Sequence, residues 1–122
     1  MEKPTPNALT ASGLATLLDG VTLLASTGAS AASMVEEGKQ IAEDRKKGNC
    51  LAWRAMGDGQ LPGNLGPPLV AMKARFPDES ALRAQIADAT QKNPNTMMPP
   101  FGRHNVLTNE EIDKITAYVH TL

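Results

Sequence analysis

Sulfur and imidazole are the groups in this chain best suited to holding a metal or attacking a substrate, and they are few. Cys50 is the one thiol, His104 and His120 are the two imidazoles, and Met97 and Met98 stand together before Pro99-Pro100. A single cysteine excludes an internal disulfide framework and any cysteine-only metal site. As a nucleophile, Cys50 has Lys46 and Lys47 close by to lower its pKa, but no histidine or second cysteine lies near it in sequence. Its plainer reading is a small unmodified residue behind a helix cap. The two histidines are solvated or hydrogen-bonded by default. Adjacent methionines are by default gap-filling core.

Composition narrows the class. A chain of 122 residues is one domain by default. Twelve Lys/Arg against 13 Asp/Glu leave a net charge of −1, so no electrostatic footprint for nucleic acid is present. No uncharged apolar run reaches the roughly 18 residues of a membrane span. The chain has one Trp, one Tyr and two Phe against nine Pro and ten Gly. That is a thin aromatic supply for a domain whose buried surface is already marginal at this size. Something other than side chains is one way to fill its middle.

The elements that must position these groups are helical. Residues 1–33 hold only Glu2, Lys3 and Asp19 as charges in a background of Ala, Leu, Ser, Thr and Gly. They read as a secretory signal ending at Ala29-Ser30-Ala31, or as a disordered tail. Residues 34–122 form the domain. A first helix is predicted over 35–47, with Val35, Gly38, Ile41, Ala42 and Arg45 on one stripe and Gly48 as its left-handed cap. Acidic residues lead and basic ones follow, as the helix dipole favours. Gly38 permits close approach of another helix, expected to be the last one. Residues 57–69 are too rich in Gly and Pro for regular structure. A second helix is predicted over 78–92, capped by Asp78, with Leu82, Ile86 and Ala89 buried. An irregular run over 96–102 follows Asn93-Pro94-Asn95. The last helix starts at the Thr108/Glu111 capping box, and Ile112, Ile115, Val119 and Leu122 form its stripe. No strand pattern competes, so the fold class is all-α: short helices joined by long Pro/Gly-rich loops.

Long loops in so small a domain usually wrap something. Gly48-Asn49-Cys50-Leu51-Ala52, then Gly66-Pro67-Pro68-Leu69, then Met98-Pro99-Pro100-Phe101 before a terminal helix together resemble a class I c-type cytochrome. More narrowly, residues 34–122 are similar to the small monohaem subunit of the sulfur-oxidising Sox cytochrome, SoxX. The long stretch from Asn93 to Arg103 carries most of this resemblance. It implies a cytochrome c-like fold, haem c as cofactor, a periplasmic location and a larger haem-bearing Sox subunit as partner. It also implies a role as electron relay, rather than catalytic centre, in coupling thiosulfate to a carrier protein.

The family attaches haem through Cys-x-x-Cys-His, two thiols for the vinyl groups and an imidazole for the iron. Here the five residues are Cys50-Leu51-Ala52-Trp53-Arg54. Arginine stays protonated and offers no lone pair to a metal. The attachment motif is degraded, so haem c is expected to be absent or non-stoichiometric. By resemblance, Met98 matches the distal thioether ligand, Cys50 the remaining attachment thiol, and Pro67 the position whose carbonyl orients a proximal histidine. His104 and His120 are the imidazoles left as replacement ligands. Without haem, Trp53 is expected to fill core, with Met56, Met97, Met98 and Phe101 closing the void as the loops collapse inward. The alternative function is a haem-free cytochrome-like binding or scaffold module that docks a Sox-type partner.

Overall fold

The computed structural model describes the backbone over residues 19–122 and the side chains over residues 28–122. The first part of the expected leader thus lies outside the described residues. The rest of it is the start of a helix. Among the described residues four α-helices follow in order: α1 (Asp19–Glu43), α2 (Met72–Arg75), α3 (Glu79–Ala87) and α4 (Asn109–Val119). Short 3-10 turns sit at Cys50–Ala52 and Ala89–Gln91. Among the described residues no strand forms, and the sole β-type pairing is an isolated bridge between Met56 and Leu69. The domain is all-α.

Helix α1 starts well before the expected Val35 and runs through the Ala/Leu/Ser-rich segment ahead of it, whose alanines and leucines favour a helix although Gly20 and Gly28 do not. It also ends at Glu43 rather than Lys47. Asp44 ends it, its carboxylate accepting the Lys46 N–H at 2.8 Å and its carbonyl accepting from Asn49 N–H at 2.9 Å. Asn49, at φ 48°, takes the left-handed position expected of Gly48; asparagine tolerates that conformation through its short polar side chain. Gly48 instead turns its N–H back onto the Ile41 carbonyl at 3.2 Å. Arg45 falls beyond the helix and is exposed rather than on the buried stripe.

Helices α1 and α4 cross at Gly38, as its position in the stripe predicts. A Cβ on Gly38 would lie 2.0 Å from the Lys114 carbonyl oxygen, so the two backbones meet with no room for a side chain. Lys114 flanks the crossing with Nζ 2.7 Å from Glu37 and 2.6 Å from Glu110. The capping box of α4 forms in both directions, Glu111 N–H donating to Thr108 Oγ1 at 3.1 Å and Thr108 N–H to Glu111 Oε2 at 3.0 Å. Ile112, Ile115, Tyr118 and Val119 of α4 are buried. Against them pack Leu82 and Ile86 of α3, Met72 of α2, and Met56, Phe101 and Leu107 from the loops. Asp78 caps α3 through Ser80 N–H, and the predicted stripe of Leu82, Ile86 and Ala89 is buried, although Ala89 belongs to the 3-10 turn after it. Helix α2 had no periodicity to announce it; one turn forms because Met72 has a core position to fill.

Candidate functional site

Cys50 opens the 3-10 turn that follows α1, and its carbonyl accepts from the N–H groups of Trp53 at 3.1 Å and Arg54 at 3.2 Å. This turn is roofed by the proline-rich loop. Gly63 N–H donates to the Leu51 carbonyl at 2.9 Å, Gly66 N–H to Trp53 at 2.8 Å and Leu69 N–H to Ala55 at 2.8 Å. Gly66 matters for the absence of a side chain: a Cβ there would stand 2.8–2.9 Å from three atoms of the Arg54 guanidinium. The loop backbone lies directly on that group. From the other side, Met98 is held by its N–H donating to Thr96 Oγ1 at 3.2 Å.

Between these walls lie two adjoining cavities of about 250 and 270 Å³. Both are lined by Cys50, Arg54, Pro67, Thr96 and Met98. The outer one opens between Trp53, Leu65 and Met97. The inner one runs beneath Met72, Phe76, Leu82 and Ile86 to α4. Cys50, Pro67 and Met98, far apart in sequence, are therefore brought to one place. The histidines are not. His104 is exposed, and His120 has Nε2 3.0 Å from the Phe76 carbonyl and Nδ1 3.7 Å from Glu79.

The expected inward collapse does not occur. Met56 and Phe101 are buried, but Trp53 and Met98 are only half-buried and Met97 is 71% exposed. Trp53 is a wall of the outer cavity rather than core filler. Prolines account for this: Pro62, Pro67, Pro68, Pro99 and Pro100 fix φ and lack an N–H, which keeps the loops from folding into the space they border.

The site's electrostatics are one-sided. Burial pushes the Cys50 thiol up to about 11, against the smaller opposing pull of Arg54, so the sulfur is a neutral thiol at pH 7. Burial pulls the Arg54 pKa down, the nearby Arg75 adds to that and Cys50 opposes it; a guanidinium still keeps its proton. Arg75 also lines the inner cavity, with Nη1 3.2 Å from the Pro68 carbonyl. Among the described residues no carboxylate lines either cavity. The Arg54 guanidinium has no hydrogen-bond or ion-pair partner among the described residues. Sequence reading treated Arg54 as a lost ligand and passed over Arg75; nothing local in the sequence marks that both face one cavity.

Haem c does not fit these residues. One thiol is present for two vinyl groups, no imidazole reaches the cavity, and a guanidinium occupies its wall. Cys50, Pro67 and Met98 share the walls of both cavities. Nor does any group of three or more His, Cys, Asp or Glu among the described residues come together to hold a metal ion.

In three dimensions the chain is similar to SoxXA from P. pantotrophus, known from a crystal structure, with a TM-score of 0.63 and 28% identity over 70% of this chain and 79% of that one. The fold is thus cytochrome c-like, of the kind seen in SoxXA. In sequence it is 38% identical over 77 residues to an uncharacterized lipoprotein of Aquifex aeolicus (strain VF5). That match takes in 62% of this chain and 37% of the relative, so the chain spans little more than a third of the lipoprotein's length. No protein-family model matches the chain. Among the described residues no helix is long and apolar enough to cross a membrane.

Proposed function

We propose that the chain is a Sox-related, cytochrome-like subunit of the periplasm that docks a larger haem-bearing Sox partner. The observation that carries this is the convergence of Cys50, Pro67 and Met98 on one cavity inside a shell similar to SoxXA. The lipoprotein relative supports a place in the cell envelope. Within this role the geometry favours a haem-free docking module over an electron relay, because the Arg54 guanidinium takes the proximal side and cannot ligate iron. The relay reading has one observation in its favour, the half-buried Met98 thioether lining both cavities with Cys50.

Two measurements on one preparation separate these readings. The chain is produced beside c-type maturation machinery, assayed as its pyridine haemochrome, and mixed with the larger haem-bearing subunit of a SoxXA complex on a sizing column. The expected result is no stoichiometric covalent haem and a stable complex. One haem per chain would return the relay reading. Failure to associate would overturn the Sox-docking role itself.

A further inference from the structure

We propose that the paired cavity is a binding site for an apolar monocarboxylate, with Arg54 recognising its charge. The inference does not depend on docking to a Sox partner. It starts from an imbalance in the walls. The inner cavity is bounded by Met72, Leu82, Ile86, Ile115 and Val119, all buried, which suits a hydrocarbon body. At its junction with the outer cavity stands the Arg54 guanidinium, with Gly66 backbone against it and, among the described residues, no carboxylate lining either space. Half-burying a cation without a partner is unfavourable, and an anion delivered by a ligand relieves that cost.

The ligand's chemistry follows from the donors. A guanidinium presents a planar fork that matches a carboxylate in two parallel hydrogen bonds. Arg75 adds a second positive charge at the inner cavity, and the Thr96 hydroxyl, which already accepts from Met98 N–H, has its own proton to donate. Cavities of about 250 and 270 Å³ sharing five wall residues hold a fatty-acid-sized body. Each lacks the acidic groups that would repel the ligand's head. A neutral ligand of the same shape would leave Arg54 unpaired and gain only the apolar contact.

The chain provides its own reporter, because Trp53 is the single tryptophan and lines the outer cavity. The probe is dodecanoate, titrated below its micelle range against Trp53 fluorescence, with 1-dodecanol as the neutral match. Dodecanoate is expected to give a saturable change, and dodecanol to bind between about tenfold and a hundredfold more weakly, the range for a hydrogen-bonded charge. Arg54→Met should weaken dodecanoate by a similar factor while leaving dodecanol unchanged. The variant's folding is read from its melting temperature, expected to be equal or higher without ligand because an unpaired charge is gone. Dodecanoate should raise the melting temperature of the native chain and not of the variant. Equal affinity for acid and alcohol in the native chain, undiminished binding by Arg54→Met, or no saturable response to dodecanoate would each overturn the proposal.

Discussion

At the Cys50 sulfur the surroundings act against reactivity. Thiolate is the attacking species, and burial holds this thiol up at about 11. At pH 8 the thiolate fraction is then on the order of a hundredfold below that of an unperturbed cysteine near 8.5. Alkylation by iodoacetamide in the folded chain is expected to be slower by that factor, and to recover in denaturant. A reaction as fast as that of a free thiol would show the sulfur to be solvated. The same shift affects stability, since the folded chain holds its thiol proton more tightly than the unfolded one. The contribution is full below the unfolded thiol's pKa and is lost as pH rises through about 11. Chemical denaturation of the native chain and of Cys50→Ala should therefore converge or cross between about pH 9 and 11, with the native chain losing more stability over that window. Tyr118 is also raised by burial, which is why the difference between the two chains, rather than either curve, isolates the thiol. Lys46 and Lys47, which the sequence offered as activators, are exposed and oppose none of this.

Among the elements, the crossing of α1 and α4 carries the architecture, and Gly38 is where it is most sensitive. With the Lys114 carbonyl 2.0 Å from where a Cβ would be, Gly38→Ala cannot be absorbed by a side-chain rotation. Two helix backbones must separate, and a loss of about 3 kcal/mol, at the upper end for overpacking, is expected in urea denaturation. A cost within about 0.5 kcal/mol would mean the helices slide freely. The ion pairs of Lys114 with Glu37 and Glu110 flank the contact but are exposed and add little. This crossing was legible from sequence because a glycine within an apolar stripe has one economical explanation. The α4 capping box and the α3 stripe were legible for the same reason, local chemistry repeated at the helical period. What escaped was set by distant contacts. The end of α1 depends on how Asp44 and Asn49 turn the chain, and α2 exists because a core position takes Met72. The open cavity escaped too, since counting apolar residues says how much could fill a space and not whether five prolines let it close.

For the molecule as a whole, the fold is cytochrome c-like, and building a Cys-x-x-Cys-His sequence at residues 50–54 tests the proposal that a haem-attachment motif has been lost there. In that proposal the residues departing from Cys-x-x-Cys-His are Trp53 and Arg54, adjacent and each one base change from the residue it replaces. Cys50, Pro67 and Met98 still border the same cavities. Arg54 also lines both, so replacing it opens space where iron would be approached. The Trp53→Cys/Arg54→His double variant, coexpressed with haem maturation factors, is expected to acquire a covalent low-spin haem held by the introduced imidazole and Met98. Adding Met98→Ala should then lower the reduction potential, because thioether ligation raises it. Met97→Ala should change it far less, since Met97 is 71% exposed at the outer rim while Met98 lines both cavities. The potentials must be compared at one pH, because His104 or a lysine recruited to an empty site would bring its own proton dependence. If the double variant takes up no haem, the shell has drifted further than its walls indicate. If Met97 proves to be the ligand, the distal loop must reorganise around the cofactor, and the present placement of Met98 would belong to the haem-free chain alone.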